Sequence, residues 1–228
     1  MKNFLLATLF LTFSASSYAQ DCPQFRGNFN INFKTAPLKY DYSRTSQYLD
    51  IISKKIWDKE TFPIGLTTNQ KQINLDYSLV TTKTINNNQI LYCSKVKELN
   101  LNVYYQPVIY IAKETQNLAC TFKRVLNHEH IHYNIEYKAL AQLKEQIGSL
   151  LLSNFDGYIY SSSEGESKVK MELRQKHTIS YISKFIEQNT SQFHNQIDTR
   201  ESYNKESASC PINENQVLHK TLRQNNVK

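Results

Sequence analysis

Residues 128–132 read His-Glu-His-Ile-His, so the outer residues make the pattern His128-Glu129-x-x-His132. On an α-helix, residues four apart lie about 40° apart round the axis and about 6 Å along it, and both imidazoles can face one metal ion. Glu129 sits about 100° round from His128. It reaches a water on that ion, and can serve as general base before passing the proton to a leaving amine. Zn2+ suits this set, because it polarises a scissile carbonyl and lowers the pKa of its water towards about 7. With six His in the chain, the pattern arises by chance on the order of once in a hundred such sequences.

The context argues against a solvated helix face. Periodicity predicts a helix from about Thr121 to Ile147, ending at Gly148. Val125, His128, Glu129, His132, Glu136, Ala139, Leu143 and Ile147 form one stripe along it. Polar groups in an otherwise apolar stripe need a reason, since burying them unpaired is costly. His130 lies about 200° from His128 and points away from the ion. Glu136 lies about 12 Å along the axis from His128, too far to share its metal easily. It is expected to orient His132 or join a buried ion pair.

A catalytic zinc needs a third protein ligand. A second long helix is predicted over 168–203, with Ile179, Ile182, Ile186, Phe193 and Ile197 on its buried face. Glu201 lies about 60° from the centre of that face, His194 about 80° and Asp198 about 120°. Glu201 therefore leads as the third ligand, with His194 and Asp198 behind it. His177 falls on the opposite face and His219 in a polar tail.

The elements that must position these groups follow from patterning. Residues 22–40 read as extended, and 44–57 as a short helix capped by Ser43 or Thr45, with Tyr48, Ile51, Ile52 and Ile56 on its apolar face. From Gln72 to Lys113 the pattern is strand-like. Alternation runs through Ile73–Tyr77 and Leu99–Tyr104, with a turn at Asn86-Asn87-Asn88 and a short apolar strand at 108–112 opened by Pro107. Residues 148–167 read as an irregular connection. A short helix, then strands, then two long helices make an α+β domain.

The N-terminus reads as a secretory signal: Lys2, then the apolar run Phe4–Phe13, then Ser17-Tyr18-Ala19 with cleavage after Ala19. The run is too short to span a bilayer. This gives a signal peptide 1–19, one domain 20–210 and a polar tail 211–228, with no membrane anchor in the mature chain. All four Cys lie beyond the signal, and an even number in an exported chain favours two disulfides. Cys93–Cys120 and Cys22–Cys210 are the expected pairs, the first fixing the motif helix against the strands and the second joining the ends of the domain. The net charge of +7 comes from scattered residues whose longest runs are pairs such as Lys54-Lys55. Neither a basic stripe nor an aromatic RNA-binding signature is present, so nucleic acid is not an expected partner.

The stretches Pro107–Glu114, Ala119-Cys120 and Val125–Glu136 resemble a bacterial family of predicted secreted zinc-dependent proteases. The motif helix of that family reads roughly H-E-x-x-H-[FY]-x-I-x-E, and this chain matches it at His128, Glu129, His132, Tyr133 and Ile135, with Glu136 one position ahead of the final Glu. The resemblance covers about residues 105–136. Near its end the family tends to carry a Y-D-x-x-T-x-H-G-like segment; the comparable Ile197–Asn204 keeps the Asp and lacks the His. The resemblance implies a zincin-like α+β fold, a small antiparallel or mixed sheet with the motif helix and a second long helix, and metal-dependent peptidase activity.

The sequence thus points to a secreted or periplasmic zinc peptidase acting on a peptide or protein substrate, with a cell-envelope component among the candidates. Glu129 is its base, and His128, His132 and Glu201 its metal ligands. Residues 108–112 are the expected edge strand along which substrate would pair. The alternatives are a non-catalytic envelope protein that binds metal or polymer, and a metal-dependent hydrolase of peptidoglycan amides.

Overall fold

The computed structural model describes residues 22–57, 63–86 and 89–225. The proposed signal peptide lies outside these residues, as do Asn87 and Asn88 of the expected turn. Among the described residues are five strands, five α-helices and one short 3-10 turn. The strands are β1 (Asn28–Thr35), β2 (Lys39–Asp41), β3 (Gly65–Asn86), β4 (Gln89–Ile111) and β5 (Ile159–Ser161). The helices are α1 (Ser46–Trp57), α2 (Ala119–Phe155), α3 (Glu164–Ile197), α4 (Arg200–Ala208) and α5 (Ile212–Asn225).

The sheet is mixed. β3 and β4 form one antiparallel hairpin, with Asn86 opposite Gln89 at the tip and Gly65 opposite Ile111 at the base. On its other side β4 carries three short partners in line: β5 antiparallel at Tyr92–Ser94, β1 parallel at Glu98–Tyr105 and β2 parallel at Val108–Tyr110. Period-two alternation turns Leu99, Leu101, Val103, Tyr105, Ile109 and Ile111 towards α2 and α3, all of them buried. The pairing slips once, from Ser78–Glu98 to Leu79–Val96, so Lys97 is an extra residue. This bulge lets Val96 and Leu99, three apart, both point inward.

Pro107 does not open a separate strand; it lies inside β4. It is tolerated because it falls between the last β1 pair at Tyr105 and the first β2 pair at Val108, where that side of β4 has no ladder to supply. Residues 108–110 are flanked by β2 on one side and β3 on the other. The expected edge strand at 108–112 is therefore interior, and the outer strand over the motif helix is β3.

Length matching decides where the ends meet. α2 has 37 residues, about 55 Å, and runs back along the hairpin from its base to its tip, where β5 pairs beside Cys93. α3, with 34 residues and about 51 Å, returns to the base. Gly148 does not stop α2. Leu151 and Phe155, both fully buried, extend the stripe of Leu140, Leu143 and Ile147 past it. Burying two large side chains, about 1.5–3 kcal/mol each, outweighs the roughly 1 kcal/mol cost of a helical glycine. On α3 the buried face continues from Ile182 and Ile186 to Thr190, while Phe193 is exposed. α1 covers the opposite face of the sheet near the base, packing Leu49 on Leu66 rather than burying Tyr48 or Ile51. Thr45 caps it, accepting from the Tyr48 N–H at 3.1 Å.

The four cysteines pair as Cys22–Cys93 and Cys120–Cys210. The expected pairing fails on distance. Cys93 sits at the tip of the hairpin, whereas Cys120 begins α2 at the base, on the order of 50–60 Å of strand away. The polar tail expected after Cys210 is largely helical. Residues 212–225 form α5, which buries Leu218 and places the Glu214 carboxylate on the Thr121 N–H at 2.9 Å and the Cys120 N–H at 3.3 Å. An acid on the free N–H groups at the start of α2 is favourable. No described helix is long and apolar enough to cross a membrane. Peptide mapping by mass spectrometry without reduction should recover the Cys22–Cys93 and Cys120–Cys210 cross-links; a Cys93–Cys120 peptide would contradict this topology.

Candidate metal centre

The base of the hairpin brings together the start of α2, the end of α3 and the whole of α4. The expected stripe of α2 is buried throughout, including His128, Glu129, His132 and Glu136. His128 Nε2, His132 Nε2 and Asp198 Oδ1 converge: the two nitrogens are 3.1 Å apart, and the oxygen lies 3.1 Å and 3.0 Å from them. Two imidazole lone pairs and a carboxylate oxygen at such distances repel unless a proton or a cation lies among them. A tetrahedral ion with bonds of about 2.0–2.1 Å has its ligand atoms about 3.3 Å apart, so the triangle fits Zn2+. Two imidazoles and one carboxylate are also the donor types zinc accepts.

The third member is Asp198, not Glu201. The two predicted turns beyond Ile197 do not continue α3. The chain leaves the helix at Asp198 (φ −88°, ψ 44°), and Thr199 caps a new helix, its hydroxyl accepting from the Ser202 N–H at 3.0 Å. Face angles counted across this break do not hold. Glu201 becomes an exposed acid in the first turn of α4, where the helix dipole favours it. His194 lies nearby but turns its Nδ1 to His132 Nδ1, at 2.7 Å, and so faces the side of His132 away from the cluster. His130 meets Tyr40 at 3.2 Å, and His177 and His219 are exposed.

Several partners have no counterpart in the motif. Glu206 of α4 meets His128 Nδ1 at 3.2 Å, on the ring edge opposite the cluster. Tyr203 donates to Asp198 Oδ1 at 2.7 Å, and its ring lies 5.1 Å from that of His128. Once α4 is recognised by its Thr199 cap, Tyr203 and Glu206 fall four and seven residues on, near one face of one helix. Glu129 is enclosed by the start of β3. The Thr67 hydroxyl lies 2.8 Å from Oε2 and 2.9 Å from the Glu129 carbonyl oxygen, so its one proton is shared. Gly65 leaves room for the other carboxylate oxygen, since a Cβ there would stand 2.5 Å from Oε1 and 2.5 Å from Val125. A groove of about 340 Å³ opens beside the centre between α2 and α4, lined by Arg124, Asn127, His128, Ile131 and Glu206.

The charges of the metal-free site are strongly coupled. Burial lowers the pKa of His128, but the Asp198 hydrogen bond and the Glu129 and Glu206 charges outweigh it and push it up to about 9. Burial raises Asp198, yet its bonds from His128, His132 and Tyr203 hold it well below the usual carboxylate range. Burial raises Glu129, against the opposing pull of His132 and His128. His194 is lowered to about 4, by burial and then by His132. Burial and the Asp198 charge push the Tyr203 phenol up, so it stays protonated.

Comparisons with protein-family models, with curated proteins and with solved structures return no match.

Two outcomes follow. Asp198→Ala should lower zinc affinity by at least about a hundredfold in a chelator competition, because it removes one of the three converging donor atoms, while Glu201→Ala leaves it unchanged. In metal-free protein, the folded pKa of His128, about 9, stands above its ordinary 6.5. The stability it contributes is therefore full below pH 6.5 and is lost as pH rises through about 9. The melting temperature of the chelated protein should fall across that window, and His128→Gln should flatten the fall.

Proposed function

We propose that the protein is an extracytoplasmic zinc-dependent peptidase whose ion is held by His128, His132 and Asp198 and whose general base is Glu129. The observation that carries this reading is the triangle of three ligand atoms 3.0–3.1 Å apart beside a buried glutamate. Three protein ligands with an open position are the pattern of catalytic zinc. Among the described residues no fourth His, Cys, Asp or Glu enters the cluster, since Glu206 and His194 engage the imidazoles at their Nδ1 edges. A closed four-ligand site, which a purely structural metal would require, is disfavoured on this ground.

His128, His132 and Asp198 would hold a zinc ion, which would supply polarisation of a carbonyl and acidify a water near neutral pH. The chain's own groups divide the remaining work. The Glu129 carboxylate would accept the proton of the attacking water and return it to the leaving amine, a role that its burial-raised pKa suits. Thr67 and Gly65 confine its carboxylate from two sides, so it waits in a fixed orientation. Tyr203, still protonated, gives its one hydroxyl proton to Asp198 Oδ1 and so holds that carboxylate in its place in the cluster. Substrate backbone pairs with the outer edge of β3, bonded to β4 on one side only among the described residues. Two disulfides fit an oxidising compartment.

Glu129→Gln should keep zinc binding while hydrolysis of a quenched fluorescent peptide library falls by about 10²–10⁴-fold. Unchanged cleavage by that variant contradicts the assignment of the base.

A further inference from the structure

We propose that His194 is a positioning residue that orients His132 for metal binding, and that Glu136, anchored by Tyr105 and Asn69, sets His194 in turn. The inference rests on the metal-site reading and extends it to groups outside the HExxH pattern.

The contact that demands explanation is His132 Nδ1 to His194 Nδ1, at 2.7 Å. Two ring nitrogens at that distance need one proton between them and no more. The rings lie within 28° of a common plane, with centroids 4.9 Å apart, as two imidazoles do when they meet edge to edge through an N–H···N bond. His132 turns Nε2 to the cluster. A metal ligand must offer that nitrogen without a proton, so the proton of the neutral ring sits on Nδ1 and is donated to His194. His194 accepts at Nδ1 and carries its own proton on Nε2.

That second proton has a destination. His194 Nε2 faces Glu136 Oε1 at 3.9 Å, too long for a hydrogen bond but close enough for the carboxylate charge to favour this ring orientation. Both side chains are sheltered, His194 19 % exposed and Glu136 12 %. Glu136 cannot swing freely. Its Oε2 accepts from the Tyr105 hydroxyl at 2.6 Å and from the Asn69 amide, leaving Oε1 to His194. Tyr105 is a core residue of β4 and Asn69 lies on β3. The orientation of a ligand on α2 is thus referred through α3 to the sheet. Glu136, one helical turn past His132, acts on it by way of His194 rather than directly. Such outer partners normally change metal affinity by about 10–100-fold.

The test joins a spectroscopic and a binding measurement. In 15N-labelled protein, with or without zinc, a scalar coupling across the N–H···N bond should connect His132 Nδ1 with His194 Nδ1. Zinc affinity, read against a chromophoric chelator, should fall about 10–100-fold in His194→Phe, which keeps bulk and removes the acceptor. It should return close to the parent value in His194→Asn, whose Oδ1 stands near the lost Nδ1. The proposal is overturned by an absent coupling, by parent-like affinity in His194→Phe, or by an equal loss in both variants, which would make His194 itself a ligand. If the unmutated protein binds no zinc, the proposed function fails while the coupling still decides the contact.

Discussion

Two imidazoles and a carboxylate crowd their lone pairs into a triangle about 3 Å on a side at the base of a long hairpin. Partial burial removes the water that would otherwise screen them, so such a cluster persists only with positive charge at its centre. Protons supply it in the metal-free protein, which is why His128 holds its proton far above its ordinary range. A divalent ion supplies it better, since it satisfies all three atoms at once. The other features of the base follow from holding this cluster together.

The three groups of the cluster come from two sources that are anchored differently. His128 and His132 stand on α2, whose stripe is locked into the main core by Leu140, Leu143, Ile147, Leu151 and Phe155. Asp198 stands at the joint between α3 and α4, and α4 buries no residue of its own. What fastens α4 is the Cys120–Cys210 bridge, the Arg124–Ser207 hydrogen bond at 3.0 Å and the Glu206–His128 contact. The bridge therefore does more than constrain the unfolded chain. It holds Asp198 and its Tyr203 partner against the two imidazoles. Cys22–Cys93, at the far end of the hairpin, ties the N-terminal segment to β4 instead.

What could be read in the chain was what is local. One helical turn separates His128 from His132, so their shared direction depends on nothing but helix geometry, and the buried stripe around them follows the expected positions. The alternation of β3 and β4 was equally legible. The third member of the cluster was not, because a capping threonine between Asp198 and Glu201 breaks the periodicity on which the face angles relied. The visible signal was Thr199 followed by an acid in the next turn. Disulfide pairing depends on which ends of long elements coincide, a matter of element lengths that spacing between cysteines does not encode. The need of Gly65 for space beside Glu129 appears only when β3 lies against α2. Thr67, Asn69 and Tyr105 are ordinary strand residues until the sheet faces the motif helix.

Anomalous diffraction at the zinc absorption edge, from crystals of the zinc-loaded protein, addresses the central claim most directly. The account predicts one strong peak per chain within bonding reach of His128 Nε2, His132 Nε2 and the Asp198 carboxylate, with Glu129 beside it and no fourth side chain attached. A peak elsewhere, no peak at all, or Asp198 turned away while another residue closes the site would contradict it.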